Sequence, residues 1–208
     1  MKQRITIHFY NSLISFFLLW TCTNCSTNPT DTTPVHHDSI LKEYYINDGK
    51  NQMLATIVLE NEETNLRIGN NFFIGEPTSS NKRKYYNQAD HFVYAVKYND
   101  NGFKLYDESE RLCWKVKIYS GYIKIADNES MSDYFRIAWY DGGVIKIKQN
   151  ETLVKECKSV VEANNIILDQ KYILHNFEKH FSTAVLLLDQ LPPQERFLIC
   201  AELLRLAK

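Results

Sequence analysis

Little in this sequence breaks the chain or charges it. Only seven glycines and five prolines occur among 208 residues, which excludes a collagen-like or Pro/Gly-rich low-complexity polymer. Charge of one sign is missing as well: 24 Lys and Arg stand against 25 Asp and Glu, a formal net charge of -1. No global field therefore draws the chain to nucleic acid or to an anionic membrane, and nucleic acid is not expected as a partner. Cysteine is scarce and odd in number. Of the five, Cys113, Cys157 and Cys200 stand 44 and 43 residues apart with no CxxC spacing. That is neither a disulfide framework nor a zinc site, and these residues are expected to be small buried hydrophobes. No GxSxG, Walker loop, HExxH or GxGxxG is present, so neither a cofactor nor catalysis is expected from motifs.

What is present begins with a packed core: 44% of the residues are hydrophobic and 13% aromatic, with 13 Tyr and 11 Phe, a composition that fits a β-rich domain. The opening "MKQRITIHFYNSLISFFLLWTCTNC" has a basic start at Lys2 and Arg4, an apolar run from Leu13 to Trp20 and then small polar residues. The run is far below the roughly 20 residues needed to span a bilayer, and the layout is that of a secretory signal peptide over residues 1–21. Leu19-Trp20-Thr21-Cys22 resembles a bacterial lipobox, which implies cleavage before Cys22 and acylation there, with Cys25 as the second choice. An ordinary cleaved signal or an uncleaved anchor is the alternative. Residues 22–39, rich in Thr, Asn and Pro, read as a solvated tether. Together these features predict a lipid-anchored, extracytoplasmic protein of the bacterial cell envelope, held to the membrane through its N-terminal lipid. His36 and His37 fall in the tether, and adjacent histidines point apart on any regular backbone.

From about residue 40 to 208 the chain reads as one domain of period-two strands broken by turn residues. "MLATIVLE" and "HFVYAVKY" are strands, "NLRIG" and "NFFIG" shorter ones. From Phe103 a meander follows, "FKLYD", "LCWKVKIYS", "YIKIAD", "YFRIAWYD" and "VIKIKQ", separated by short turn-forming breaks. In "LCWKVKIYS" one face carries Leu112, Trp114, Val116 and Ile118, and Cys113, Lys115, Lys117 and Tyr119 take the other. A weak internal repeat aligns Phe103 with Ile145, Leu105 with Ile147 and Ile125 with Leu168, an offset of about 42 residues that either duplication or chance strand patterning explains. "KYILHN" is the last strand. Helices are predicted over 182–207: one capped by Ser182 or Thr183 and running to about Leu191, the second from Pro193 to about Ala207. Phe197, Leu198, Ile199, Cys200, Ala201, Leu203, Leu204 and Leu206 reach every quadrant of the second, so it must be surrounded by protein.

Candidate chemistry is thin. Lys82, Arg83 and Lys84 form a basic cluster expected in a solvated loop. His175 and His180 miss the i,i+4 spacing of a helical ligand pair, so no metal site is expected. Asp107, Glu108 and Glu110 are expected to line a hairpin turn. Cys113 beside Trp114 invites a nucleophile reading, yet no histidine has a sequence reason to partner it.

Strands that must ring an apolar C-terminal helix resemble the tubby-like superfamily of tubby proteins, phospholipid scramblases and LURP-one-related proteins. The stretch "GFKLYDESERLCWKVKIYSGYIKIADNE" is similar to its repeated hairpin, and "AVLLLDQLPPQERFLICAELLRL" to the closing helices of small bacterial members. The resemblance spans residues 103–206 and implies a mainly β antiparallel barrel of hairpin repeats around the C-terminal helix. The function expected is a non-catalytic binding or structural module. An open lipocalin-type carrier of a small apolar ligand, which needs an empty interior, and a hydrolase with a site assembled from distant residues are the alternatives.

Overall fold

Alternation of β-branched and aromatic residues with polar ones, interrupted every five to nine residues by Asn, Asp or Gly, leaves this chain one regular option: short antiparallel strands joined by hairpins. The computed structural model describes residues 41–163, 165–178 and 180–207. The expected leader and tether, with Cys22, Cys25, His36 and His37, lie outside the described residues.

Among the described residues fourteen strands follow one another: β1 (Leu41–Asp48), β2 (Met53–Glu60), β3 (Glu63–Ile68), β4 (Asn71–Ser79), β5 (Lys82–Asn87), β6 (Phe92–Asn99), β7 (Gly102–Asp107), β8 (Leu112–Tyr119), β9 (Tyr122–Ala126), β10 (Phe135–Trp139), β11 (Val144–Gln149), β12 (Thr152–Glu162), β13 (Asn165–Leu168) and β14 (Tyr172–His175). Each pairs with its neighbours in sequence, and β14 closes on β1 through registers from Tyr45↔His175 to Asp48↔Tyr172, so the sheet is a closed antiparallel barrel without an edge.

The hairpin is the repeating unit. Its second strand starts at residues 63, 82, 102, 122, 144 and 165, steps of 19, 20, 20, 22 and 21. The offset of about 42 seen in the sequence is therefore two hairpins. In each second strand two alternate residues face inward: Thr64 and Leu66, Arg83 and Tyr85, Phe103 and Leu105, Ile123 and Ile125, Ile145 and Ile147, Ile166 and Leu168, all buried. One turn design recurs as well. The side chains of Asp48, Asn87 and Asp107 each accept from the backbone N–H two and four residues on, and Asn51, Asp90 and Glu110, three residues on, adopt positive φ. Asx turns of this kind suit Asn and Asp because their short side chains replace a backbone acceptor.

The first strands β2, β6 and β8 carry a bulge near their start. Leu54, Val93 and Cys113 are each passed over in the ladder, and the shift in alternation turns all three against the core. This corrects the expected face of Cys113, which was placed outside with Lys115 and Lys117; Leu112, expected inside, is the one displaced.

After β14 the chain runs into α1 (Phe181–Ala184), a single 3-10 turn (Val185–Leu187) and α2 (Pro193–Leu206). The first helix is thus four residues, not the ten predicted to Leu191, and its cap is His180, whose side chain accepts from the Ser182 N–H, rather than Ser182 or Thr183. α2 matches its expected bounds, with Pro193 at its first turn. Its start lies by β8 and its end by β3, as the contacts below establish, and the apolar segment and the inward residues of all the strands form one core. The barrel is built around its closing helix.

Candidate functional site

A helix that fills a barrel must hide whatever charge it carries, and α2 carries four charged residues along its length: Glu195, Arg196, Glu202 and Arg205. Each is bonded inside the assembly. Glu195 accepts from the Trp114 indole N–H on β8, 2.5 Å away. Arg196 donates to the Tyr172 hydroxyl at 3.1 Å and to the carbonyls of Leu186 and Leu191 at 3.2 and 2.9 Å, tying down the connection between the helices. Arg205 donates to the Thr64 hydroxyl at 3.0 Å and to the backbone of Asn61 and Glu63 on the β2–β3 hairpin. These partners fall on β3, β8 and β14, so wall surrounds the helix on several sides.

Glu202 is the centre of the arrangement, with no exposure at all. It accepts from the hydroxyls of Tyr85 on β5 and Tyr98 on β6, and Arg83 Nε lies 3.5 Å from its Oε1. Arg83 also donates to the Tyr98 hydroxyl at 3.1 Å and to the carbonyls of Glu62 and Gly75 at 2.5 and 2.8 Å. Five of the six inward pairs of the second strands are apolar or carry only a threonine; the β5 pair is Arg83 and Tyr85. The polar exception in the wall meets the polar exception in the helix. Gly75 opposite makes the room, since a Cβ there would lie 2.6 Å from the Tyr85 ring. Burial, then the Glu202 carboxylate, holds the Tyr85 and Tyr98 phenols protonated well beyond the ordinary tyrosine range. Burial is the largest influence on the Arg83 guanidinium and works against its charge, but Glu202, Tyr98 and Tyr85 together outweigh it and raise its pKa. The cluster is a satisfied buried ion pair closed off from solvent, fit for holding the helix in one register.

The basic triplet is accordingly not a solvated loop. It forms strand β5, with Arg83 pointing into the barrel and Lys82 and Lys84 outward. A polar residue at an inward position of an alternating strand looks exposed in sequence, and only Glu202, flanked by apolar residues in the closing helix, signalled a buried partner.

Two of the open clefts among the described residues flank the ends of α2. One of about 410 Å³ is lined by Lys42, Glu43, Glu178 and His180 beside the end of α2; the other, about 320 Å³, by Tyr94, Asp107, Arg111, Cys113 and Glu195 beside its start. Burial, with the charges of Glu195 and Asp107, pushes the Cys113 thiol up to about 11, and among the described residues no histidine lines that cleft; at neutral pH it is a thiol rather than a thiolate nucleophile. Burial also raises Cys157 to about 11 and Cys200 further still, and both sit in the core. Asp107 caps its turn and pairs with Arg111, whose backbone N–H is the leading cause of its lowered pKa. His175 and His180 serve different elements. His175 lies 2.7 Å from Asn165 Oδ1 and 3.3 Å from Asn47 Nδ2 across the closing seam of the barrel, while His180 caps α1. Among the described residues no three His, Cys, Asp or Glu side chains come together as a metal site. Neither family models nor curated proteins nor solved structures gave a significant match to this chain.

Proposed function

We propose that this chain is a membrane-tethered extracytoplasmic lipoprotein of the tubby-like superfamily, acylated at Cys22, whose barrel serves as a non-catalytic binding or structural module. The observation that carries this reading is the filled lumen: α2 occupies the interior, and its charged side chains are bonded to the wall. Such a barrel has its working surfaces outside, on the wall and the rims. An open carrier of lipocalin type needs interior space that the closing helix takes up, and the interior ion pair lacks the access that a hydrolase requires.

Mass spectrometry of the mature full chain isolated from bacterial membranes tests the tether. The expected result is an N-terminus at Cys22 bearing acyl chains, more than one of them because a single chain binds a bilayer only marginally. Loss of the lipid in Cys22→Ala follows from the same reading. An unmodified N-terminus at another residue would overturn it.

A further inference from the structure

The outer wall of the barrel is charged in a way that the near-zero net charge conceals. On β5 to β11 the outward positions hold Lys82, Lys84, Lys97, Lys104, Lys115, Lys117, Lys124, Arg136, Lys146 and Lys148, and in that span the acids sit in the turns, save Asp107 at the end of β7. Register lines the cations up. Lys82↔Lys97, Lys97↔Lys104 and Lys104↔Lys115 are direct cross-strand partners, which makes one row across β5–β8. Lys117↔Lys124, Lys124↔Arg136 and Arg136↔Lys148 make a second across β8–β11. Like charges directly opposite on neighbouring strands are destabilising, so folding alone does not favour this pattern.

The fold only half neutralises it. Glu129 reaches Lys104 and Lys115 at 2.8 and 3.3 Å, and Glu151 reaches Arg136 and Lys124 at 2.9 and 3.7 Å. Among the described residues Lys82, Lys97, Lys117 and Lys148 have no carboxylate within ion-pair distance. Several cations are braced in place over rings: Lys97 over Tyr106 at 4.6 Å, Lys124 over Tyr134 at 3.8 Å, Arg136 over Tyr122 at 4.2 Å. Small outward residues, Ala95 and Ala138, are buried beside the long stems.

We propose that this belt binds a linear acidic polysaccharide. Lys82 and Lys97 are adjacent in the first row and have no carboxylate partner among the described residues; neighbouring strands stand about 4.8 Å apart, so the cations of each row recur about every 5 Å along a line. That is close to the length of one pyranose unit, whereas an extended peptide returns a side chain to the same face only every 6.8 Å or so. The wall is convex, and a flexible chain can follow a row over four strands where a flat bilayer would touch one or two. Base stacking, which single-stranded nucleic acid uses on aromatic surfaces, meets rings already covered by the protein's own cations. The inference gives the proposed binding module a partner, and its test does not depend on acylation at Cys22.

Calorimetry with the full chain decides it, using polygalacturonate and dextran sulfate as probes at 50 and 300 mM NaCl. Binding to at least one probe, weakened by salt, is expected. The double variants Lys97→Gln/Lys104→Gln and Lys117→Gln/Lys124→Gln should each lose at least tenfold, while Lys155→Gln/Lys158→Gln, on β12 outside the belt, should leave affinity unchanged. Lys117→Glu should weaken binding yet raise the melting temperature, because it converts a repulsive cross-strand pair to an attractive one, which separates lost binding from lost folding in that variant. Absence of binding to both probes, equal loss in the β12 control, or tighter binding to single-stranded DNA or to phosphatidylserine vesicles than to either polysaccharide would overturn the proposal.

Discussion

At the scale of single residues the interior is decided by one carboxylate. Glu202 accepts hydrogen bonds from two phenols and faces a guanidinium that the wall supplies at a position occupied by apolar residues or threonine in the other hairpins. Removing one member of a buried pair leaves the other charged, desolvated and alone. Glu202→Leu is therefore expected to cost about 3 to 5 kcal/mol in urea unfolding. The double variant Glu202→Leu/Arg83→Met should recover much of that loss, since an apolar replacement of both partners is often neutral or stabilising. If the single variant unfolded at the urea concentration of the parent, the pair would have no part in holding the helix.

At the scale of elements the relation between helix and strands is mutual. The wall hides an apolar surface that α2 alone could not hide, and α2 fills a lumen that fourteen strands alone could not fill. Phe197, Leu198, Ile199, Leu203 and Leu204 are buried, and at about 1.5 to 3 kcal/mol each they contribute a gross term on the order of 10 kcal/mol. Leu206, expected in the same set, is 43% exposed at the end of the helix. The gross term matches the net stability of a typical domain. A chain stopped after His180 should thus be insoluble or bind a hydrophobic dye, and Leu203→Ala should cost about 2 to 5 kcal/mol. Cooperative melting of the truncated chain near the parent temperature would make the helix peripheral.

For the whole molecule the buried phenols link stability to alkali. Tyr85 and Tyr98 have folded-state pKa values raised above the unfolded value, by burial first and the charge of Glu202 second. Stability from a raised pKa is fully present below the unfolded value, about 10 for tyrosine, and is lost as pH rises beyond it, because the unfolded chain ionises while the fold resists. The unfolding free energy measured at pH 9, 10 and 11 should fall over that interval, and the fall should be shallower in Tyr98→Phe. An equal slope in the variant would show that other groups govern the alkaline limit. The net charge of -1 is equally a whole-molecule average that misleads: it sums a cationic wall over β5–β11 with acids that stand in the turns of that span and on other strands.

The sequence by itself determined most of the strands, their period-two alternation, and that the last helix must be enclosed. Period-two and helical patterning are local, set by the geometry of a few consecutive residues, and they can be read without knowing any partner. Strand β5 escaped that reading because Arg83 continues the inward alternation with a charge, and Cys113 because a bulge reversed the faces at one residue. The barrel's closure on β1 and β14, the meeting of Arg83 with Glu202 across 119 positions, and the alignment of outward lysines into rows were decided only in three dimensions. Each depends on strand register and on the choice of partner strand, which are pairings between distant residues, and no local pattern encodes the identity of the residue opposite.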